Sequence, residues 1–407
     1  MKLPLLLLVS LTLYADTSLS SLIESAQRNE KITALEQRSH AAGLNYQATK
    51  SSYLPRVDGF GKGDYVDNKG GFDAAQSYNT GVKAEIVLFD GFKRENRLDE
   101  IKSLKNSAHS NLDAGKKELS LNVIKRYFEL QNTLEEIHTY SLTRDQLQAQ
   151  LKRLEKFLSA GLASEDALMR IRSELANAEY ELEDLGYQSD RQKADLETIT
   201  NTTFTELSPA SIIEPKSTPV KELDFLQSLR YSRDATTYQA QQSDVGFLPT
   251  LSLADQYTFS HYVDDPMASM RVSHQNKLSL SLTVNLLDFN IMSTTKQALI
   301  AQSNAQTNDL AYASKESATN LAMAQRYIVR SHSLITAAQS SFDASQKTFE
   351  AVKQKYEARI VDYVTYLDAL CSLTNSTNQL SRAKRSLNYA YATYYYYAGL
   401  DPKEFVQ

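Results

Sequence analysis

The sequence predicts a mainly helical protein with a smaller β-sheet contribution, built as two tandem copies of one structural unit. Three observations predict this fold class: two very long stretches without proline, the first with helical periodicity; strands with period-two alternation ahead of each stretch; and a common spacing between several matching landmarks of the two halves. The 407 residues include only 13 glycines and 8 prolines, a composition that suits long uninterrupted elements.

The first long helix is predicted over residues 93–160. The stretch between Gly91 and Gly161 contains no proline and one internal glycine, Gly115. At 1.5 Å per residue this helix would be roughly 100 Å long, as in a coiled coil, a stalk or a tunnel wall. Its apolar side chains recur mostly at steps of three and four, at Leu98, Ile101, Leu104, Ala108, Leu112, Leu119, Val123, Tyr127 and Leu130.

Two β-hairpins are predicted, over residues 56–88 and 250–286. From Tyr78 to Leu88 apolar and polar residues alternate, which is the period of a strand, and Asn276 to Leu286 repeats the pattern. Arg56 to Val66 is the expected partner of the first strand, with a turn around Asn68 to Gly71.

The order of these elements predicts a tandem duplication. Leu88 and Leu286 lie 198 residues apart, and the helix-ending residues Asn201 and Gly399 have the same spacing. Ser164 is the expected N-cap of the first return helix. The predicted first repeat, 16–221, contains a helix, the hairpin, the long helix, a return helix over 164–200 and a proline-rich linker. The predicted second repeat, 222–407, contains a helix, the hairpin, a long helix over 293–358 and a return helix over 362–398.

Residues 1–15 have the features of a secretory signal peptide. Lys2 supplies the positive start, Leu3 to Leu13 the apolar stretch and Ala15 a small residue for cleavage. The alternative is a disordered apolar N-terminus. No later run of 18 apolar residues occurs, so the sequence predicts no transmembrane helix.

The composition argues against several classes of function. A net charge of −5 does not favour nucleic-acid binding. A single cysteine, Cys371, excludes an intramolecular disulfide framework and a cysteine-rich metal site, and the six histidines show no ligand spacing. No nucleophile motif or phosphate-binding glycine loop is present, so the sequence predicts neither an enzyme nor a cofactor.

The alternation of the strands favours a sheet with lipid on one side and water on the other. Lys83 and Glu85 would then face a water-filled lumen. Four strands cannot close a barrel, and open edges are not tolerated in lipid, so several chains must contribute strands. Two chains would give eight strands and a filled interior, whereas three would give twelve and a channel. The alternative is an exposed hairpin tip on a soluble helical rod. The residues predicted to face lipid are Val82, Ile86, Leu280 and Val284.

Several short motifs, in duplicated order, resemble those of outer-membrane efflux proteins of the TolC family over nearly all of the mature chain. They are the Leu-Pro pair before each first strand, Leu88-Phe89-Asp90-Gly91, Gly161-Leu162-Ala163-Ser164 and Val364-Thr365-Tyr366-Leu367-Asp368-Ala369.

This resemblance implies a homotrimer with a twelve-stranded barrel in the cell outer membrane, in contact with its lipid, and an α-helical barrel that forms a tunnel through the periplasm. It implies the exit duct of a tripartite efflux pump or a type I secretion system, working with a periplasmic adaptor and an inner-membrane transporter. The alternative is a periplasmic or surface-exposed helical scaffold or adhesin.

The last return helix carries a polar stripe that could line such a tunnel. Its members recur at steps of three and four, at Thr365, Asp368, Ser372, Asn375 and Gln379. The alternative is an ordinary solvated helix face. Arg170 lies 198 residues before Asp368 and is a candidate ion-pair partner for it.

The resemblance also implies a closure site at the periplasmic entrance. In the TolC family, aspartates just past the second helix turn ring the entrance; Asp368 matches the inner one, and the other falls on Thr365. Tyr356 matches a tyrosine that helps to hold the entrance shut, although it could also be a core residue. The family's arginine falls on Val361, and Arg359 is either its substitute or a surface residue.

Overall fold

A computed structural model describes residues 17–67, 70–162, 164–216 and 219–407. The predicted signal peptide lies outside the described residues, as do Asn68 and Lys69 of the predicted first hairpin turn and Ala163 of the first helix turn. The helices are α1 (Leu19–Ala26), α2 (Glu30–Ser51), α3 (Lys93–Ser159), α4 (Glu165–Thr200), α5 (Asp224–Asp244), α6 (Ile291–Glu357) and α7 (Tyr363–Tyr397). The strands are β1 (Arg56–Tyr65), β2 (Gln76–Phe89), β3 (Thr250–Val263) and β4 (His274–Thr283).

The two long helices, α3 and α6, each contain 67 residues. Each begins after an aspartate whose side chain accepts a hydrogen bond from the first helical turn. The Oδ2 atom of Asp90 accepts from the Arg94 amide at 3.1 Å, and that of Asp288 accepts from the Met292 amide at 2.8 Å. Both carboxylates accept hydrogen bonds from amides that would otherwise be unpaired, and their negative charge interacts favourably with the positive end of the helix dipole.

The N-terminal helix is broken in two, although the sequence predicts a single helix before the first hairpin. The break falls at residues 27–29, where the side chain of Asn29 accepts a hydrogen bond from the Ile32 amide at 3.0 Å and so caps α2. The same side chain donates to the carbonyl of Ile199 at 3.1 Å. A distant partner therefore favours the break.

All four strands form one antiparallel sheet in the order β1-β2-β3-β4. Val82 pairs with Gly59 of β1 and with Tyr257 of β3, and Leu253 of β3 pairs with Leu280 of β4. Because directly paired residues of antiparallel strands lie on the same face, this register extends one apolar face across the sheet.

The second hairpin is shorter than the predicted range 250–286, because β4 ends at Thr283. Thr283 pairs with Thr250, the first residue of β3. Pro249 precedes it and has no backbone N–H to continue the ladder. Val284 therefore lies beyond the strand, and its prediction as a strand residue was wrong.

The chain divides into two compact units. One contains residues 113–223 and 314–407 together with the N-terminal segment up to Ala34, and the other contains residues 35–112 and 224–313, including the sheet. In the first unit, the described residues of the predicted linker between the repeats pack against α7 at Ile212 and Ile213. The side chain of Asn388 on α7 accepts a hydrogen bond from the Ile212 amide at 2.8 Å, and the Tyr395 hydroxyl donates to the carbonyl of Ile213 at 3.1 Å.

Candidate functional site

One turn connects each long helix to its return helix, and the two turns share one backbone geometry. Gly161 has φ +71° after α3, and Arg359 has φ +60° after α6. In each turn the next amide, of Leu162 or Ile360, donates to the carbonyl five residues earlier at 2.8 Å. This bond closes a helix with a left-handed residue, a conformation that glycine adopts without strain and arginine does not.

The return helices begin with side-chain caps of different strength. The Ser164 hydroxyl accepts one hydrogen bond, from the Ala167 amide at 3.3 Å, as the sequence predicts. Asp362 accepts two from Thr365, from its hydroxyl at 2.6 Å and its amide at 3.0 Å. These two bonds, with a smaller contribution from the Arg170 charge, lower the pKa of the Asp362 carboxyl. Thr365, a predicted lining residue, thus also holds the start of α7.

Three tyrosines pack together beside the second turn. The rings of Tyr356 and Tyr366 stack with centroids 5.0 Å apart, and Tyr363 lies 5.8 Å from Tyr356 and 6.0 Å from Tyr366. Tyr363 and Tyr366 are buried, with Phe349 packed against Tyr366 at 5.6 Å. Burial is the main cause that raises the pKa of all three tyrosine hydroxyls.

Two arginines connect this tyrosine cluster to α3. The guanidinium of Arg153 lies 5.7 Å from the centre of the Tyr356 ring and 5.4 Å from that of Phe157. The guanidinium of Arg359 lies 5.2 Å from the centre of the same Phe157 ring. These distances fit cation–π attraction. Arg359 is therefore an exposed residue that packs against Phe157. Tyr356 packs against the hydrophobic core, whatever its role in closure.

The polar stripe of α7 is exposed in the single chain at all five of its members. Asp368 lies on it, near enough to Cys371 that its charge is one cause of the raised pKa of the thiol, after burial and the carboxylate of Glu174. In the described part of the chain no ion pair joins Asp368 to Arg170, and Arg170 acts on Asp362 instead. The predicted Arg170–Asp368 pairing is therefore not made within one chain.

Sequence reasoning missed Arg153, Phe157, Tyr363 and Tyr366. Two signals could have indicated them. Tyr363 continues the seven-residue spacing of Phe349 and Tyr356 across the turn, and Arg153 and Phe157 are four residues apart on one helix face. Neither signal shows that the tyrosines contact Arg153 and Phe157.

The polar face of the sheet contains both predicted lumen residues. Lys83 donates to Glu85 at 2.7 Å, and the two residues lie two positions apart on β2, so they share a face. The opposite face carries large exposed apolar side chains, among them Val82, Leu278 and Leu280.

One carboxylate, Asp255, lies on this apolar face. It pairs with Ala84 of β2 and Leu278 of β4, both on the face that carries Val82. It is exposed, and within the described strands it is the one acidic residue on that face. The sequence pattern of β3 alone did not assign it to a face.

The described residues give no indication of a metal site or of a membrane-spanning helix. Among them, no group of three or more histidine, cysteine, aspartate or glutamate side chains is arranged to hold a metal ion. None of the described helices is long and apolar enough to cross a membrane.

Comparison with known proteins assigns the chain to a family. The family model for outer membrane efflux proteins matches residues 22–202 and 224–400, most of the sequence. The chain belongs to the outer membrane efflux protein family. This assignment confirms the resemblance to TolC-family proteins that the sequence motifs indicate. No curated protein sequence matches this outer membrane efflux protein.

Solved structures share the fold of this outer membrane efflux protein. CusC, a protein that forms a transmembrane channel, matches with a TM-score of 0.82 at 16% identity. The match covers 95% of this chain and 93% of CusC. The CmeC outer membrane channel of Campylobacter jejuni matches with a TM-score of 0.83 at 14% identity, covering 94% and 85%. The outer membrane protein VceC of Vibrio cholerae matches with a TM-score of 0.81 at 13% identity, covering 94% and 96%. The predicted fold class, long helices with a four-stranded sheet per chain, is confirmed.

Proposed function

We propose that this outer membrane efflux protein is the exit duct of a tripartite efflux pump or of a type I secretion system. Three chains would place twelve strands in the outer membrane and their long helices in the periplasm, where a periplasmic adaptor and an inner-membrane transporter would engage them. Solutes would pass from the pump assembly to the outside. The duct does no covalent chemistry; it requires a polar lining, an apolar exterior and a means of closure.

The sheet is the observation that carries this proposal. Its outer strands, β1 and β4, each pair with one neighbour only, and one of its two faces is apolar and exposed. Unpaired backbone groups are costly in lipid, and an isolated four-stranded sheet cannot close on itself. Copies of the chain joined edge to edge satisfy both requirements. The family membership and the fold shared with known channels support the same conclusion.

Cell fractionation and mass measurement test the assembly. We expect the protein in the outer-membrane fraction, resistant to carbonate extraction, and a detergent-solubilised particle with the mass of about three chains. A stable monomer that washes off with carbonate would contradict the duct and would favour the helical scaffold or adhesin.

Arginine substitutions on the two faces of β4 test which face meets lipid. Leu280 and Ser281 are adjacent, so their side chains lie on opposite faces. Leu280→Arg should cost about 2–4 kcal/mol near the bilayer midplane, whereas Ser281→Arg should be tolerated because it meets water. The measurement is the amount of folded trimer in outer-membrane extracts. Equal amounts for both variants would contradict the assignment of the lipid face.

We further propose that the second helix turn closes the periplasmic entrance. Three copies of Asp368 around one axis would repel each other and attract cations, with little screening in a narrow passage. Tyr356 and Arg359, packed against Arg153 and Phe157 of α3, would hold the second helix turn to α3. Arg170 remains a candidate partner for Asp368 of a neighbouring chain, and Thr365 would hold the cap of α7 beside the ring.

Single-channel recording in planar bilayers tests the role of Asp368. We expect Asp368→Ala to weaken both cation selectivity and block by multivalent cations. Asp190→Ala, which removes an exposed acid from α4, is the matched control and should leave both unchanged. If Asp368→Ala keeps the selectivity and block of the unmodified channel, Asp368 is an ordinary solvated residue.

A further inference from the structure

Charges on the polar face of β1 occur as neighbouring pairs. Arg56 and Asp58 form an ion pair at 2.9 Å, and Lys62 and Asp64 form another at 2.9 Å. The members of each pair are two positions apart on one strand, so all four side chains lie on one face. Each pair places no net charge on that face.

β2 adds a third pair to the same face. Asp58 pairs with Lys83 in the register of β1 and β2, which places Lys83 on the face of the β1 pairs, and Lys83 contacts Glu85 at 2.7 Å. The charges on this part of the face are therefore also balanced.

Among the charged residues of the four described strands, one basic residue on β4 has no acid beside it on its face. Lys277 pairs with Gln256 of β3, which in turn pairs with Lys83, so Lys277 lies on the same polar face. Its neighbours on that face of β4 are Gln275 and Ser279, both uncharged, and Lys277 is exposed. Across the strands the face carries four basic and three acidic side chains, and the unbalanced charge is that of Lys277.

We propose that Lys277 is a solute-selecting residue of the strand-lined part of the channel, and that the solutes it favours are anions. The inference rests on the proposed function, because it requires three chains around one lumen. Three copies of Lys277 would then give the strand-lined lumen a net positive charge. The net charge of the lumen does not depend on whether Lys277 contacts an acid of the adjoining chain, because the sum of charges over the polar face stays the same.

The salt dependence of such a selection follows from screening. The Debye length is about 10 Å at 0.1 M salt and about 3 Å at 1 M, so a ring of lysines acts on passing ions at low salt and hardly at high salt. The effect is opposite in sign to that proposed for Asp368. Multivalent anions should therefore interact with Lys277, whereas multivalent cations should interact with Asp368.

The experiment inserts trimers in planar bilayers and measures how strongly citrate, added to each side in turn, blocks the current. Lys277→Gln should weaken the block by roughly a factor of two or more at 0.1 M salt, and the difference should largely vanish at 1 M. The matched control is the double variant Lys62→Gln/Asp64→Asn, which removes a whole ion pair and keeps the net charge of the face. This control should keep the block of the unmodified channel.

A second variant separates charge from shape. Lys277→Arg keeps the positive charge and should keep the block. Loss of block in Lys277→Arg, or unchanged block in Lys277→Gln, would overturn the role of Lys277 while leaving the channel itself established. Absence of any channel from the unmodified protein would instead overturn the proposed function, and this inference with it.

Discussion

Gly161 and Arg359 occupy matching places in the two helix turns and adopt the same left-handed backbone, with φ of +71° and +60°. Yet their surroundings differ. The first turn has open space around Gly161. The second carries a guanidinium that reaches Phe157 of α3. The positions of Tyr356 and Tyr366 in the second half correspond, 198 residues earlier, to Leu158 and Leu168.

The difference shows how two halves with one backbone can take separate tasks. The first turn follows the local rule for ending a helix, with a glycine that costs nothing. The second accepts the strain of a non-glycine residue, and its aromatic cluster binds the turn to α3. Strain that persists beside stabilising contacts is typical of functional positions. This contrast supports the closure proposed for the second half.

Disrupting the aromatic cluster of the second turn should give the largest difference in stability between the two turns. Tyr366 is only 2% exposed, and its replacement by alanine should destabilise the first turns of α7 by about 3–5 kcal/mol. Hydrogen exchange of the amides in residues 350–370 measures this loss. Tyr180→Ala, at a tyrosine of α4 that is 71% exposed, is the control and should change little. Similar exchange in both variants would show that the cluster does not hold the turn.

Exchanging the residues at the two turns should have a smaller effect. Gly161→Ala should cost about 1–2 kcal/mol, because its Cβ has room but its backbone is left-handed. Arg359→Gly should relieve a similar strain while losing a cation–π contact worth about 0.5–1 kcal/mol, so its net gain is smaller. Denaturant titration of both variants measures the two changes. A neutral Gly161→Ala would contradict the strain argument.

Removing the side-chain cap of each return helix should further distinguish the two turns. Ser164→Ala should destabilise α4 by about 1 kcal/mol, the usual value of a serine cap. Asp362→Ala should cost more than Ser164→Ala, because Asp362 accepts two hydrogen bonds and Ser164 accepts one. Exchange protection in the first turns of α4 and α7 gives the comparison. Equal losses would mean that the second bond, from the Thr365 hydroxyl, contributes nothing.

The smallest expected effect is the pH dependence of these caps. Because the folded state lowers the pKa of Asp362, its contribution is present above the usual aspartate pKa of about 3.9 and is lost as pH falls through the lowered folded value. The difference between the unmodified protein and Asp362→Ala should therefore shrink in strong acid. The matching difference for Ser164→Ala should stay constant over that range, and a parallel decline would contradict the assignment to the carboxylate.

The tertiary structure decided what depends on residues far apart in the chain. The break after α1 follows from a bond between Asn29 and Ile199, and the end of β4 follows from the start of its partner β3. The surroundings of Tyr356 depend on Arg153 of another helix, and the face of Asp255 on two neighbouring strands. A pattern within one segment does not contain these pairings.

The sequence by itself determined the parts that depend on near neighbours. Apolar side chains repeated every three to four residues predicted the first long helix, and the ends of its return helix followed from local preferences. Ser164 caps α4, and Asn201 ends it with φ +50°. Alternation with period two predicted the faces of β2 and β4. These features need only contacts within a few residues, which the order of the amino acids specifies directly, whereas the tyrosine cluster and the charge balance around Lys277 required the register and packing of separate elements.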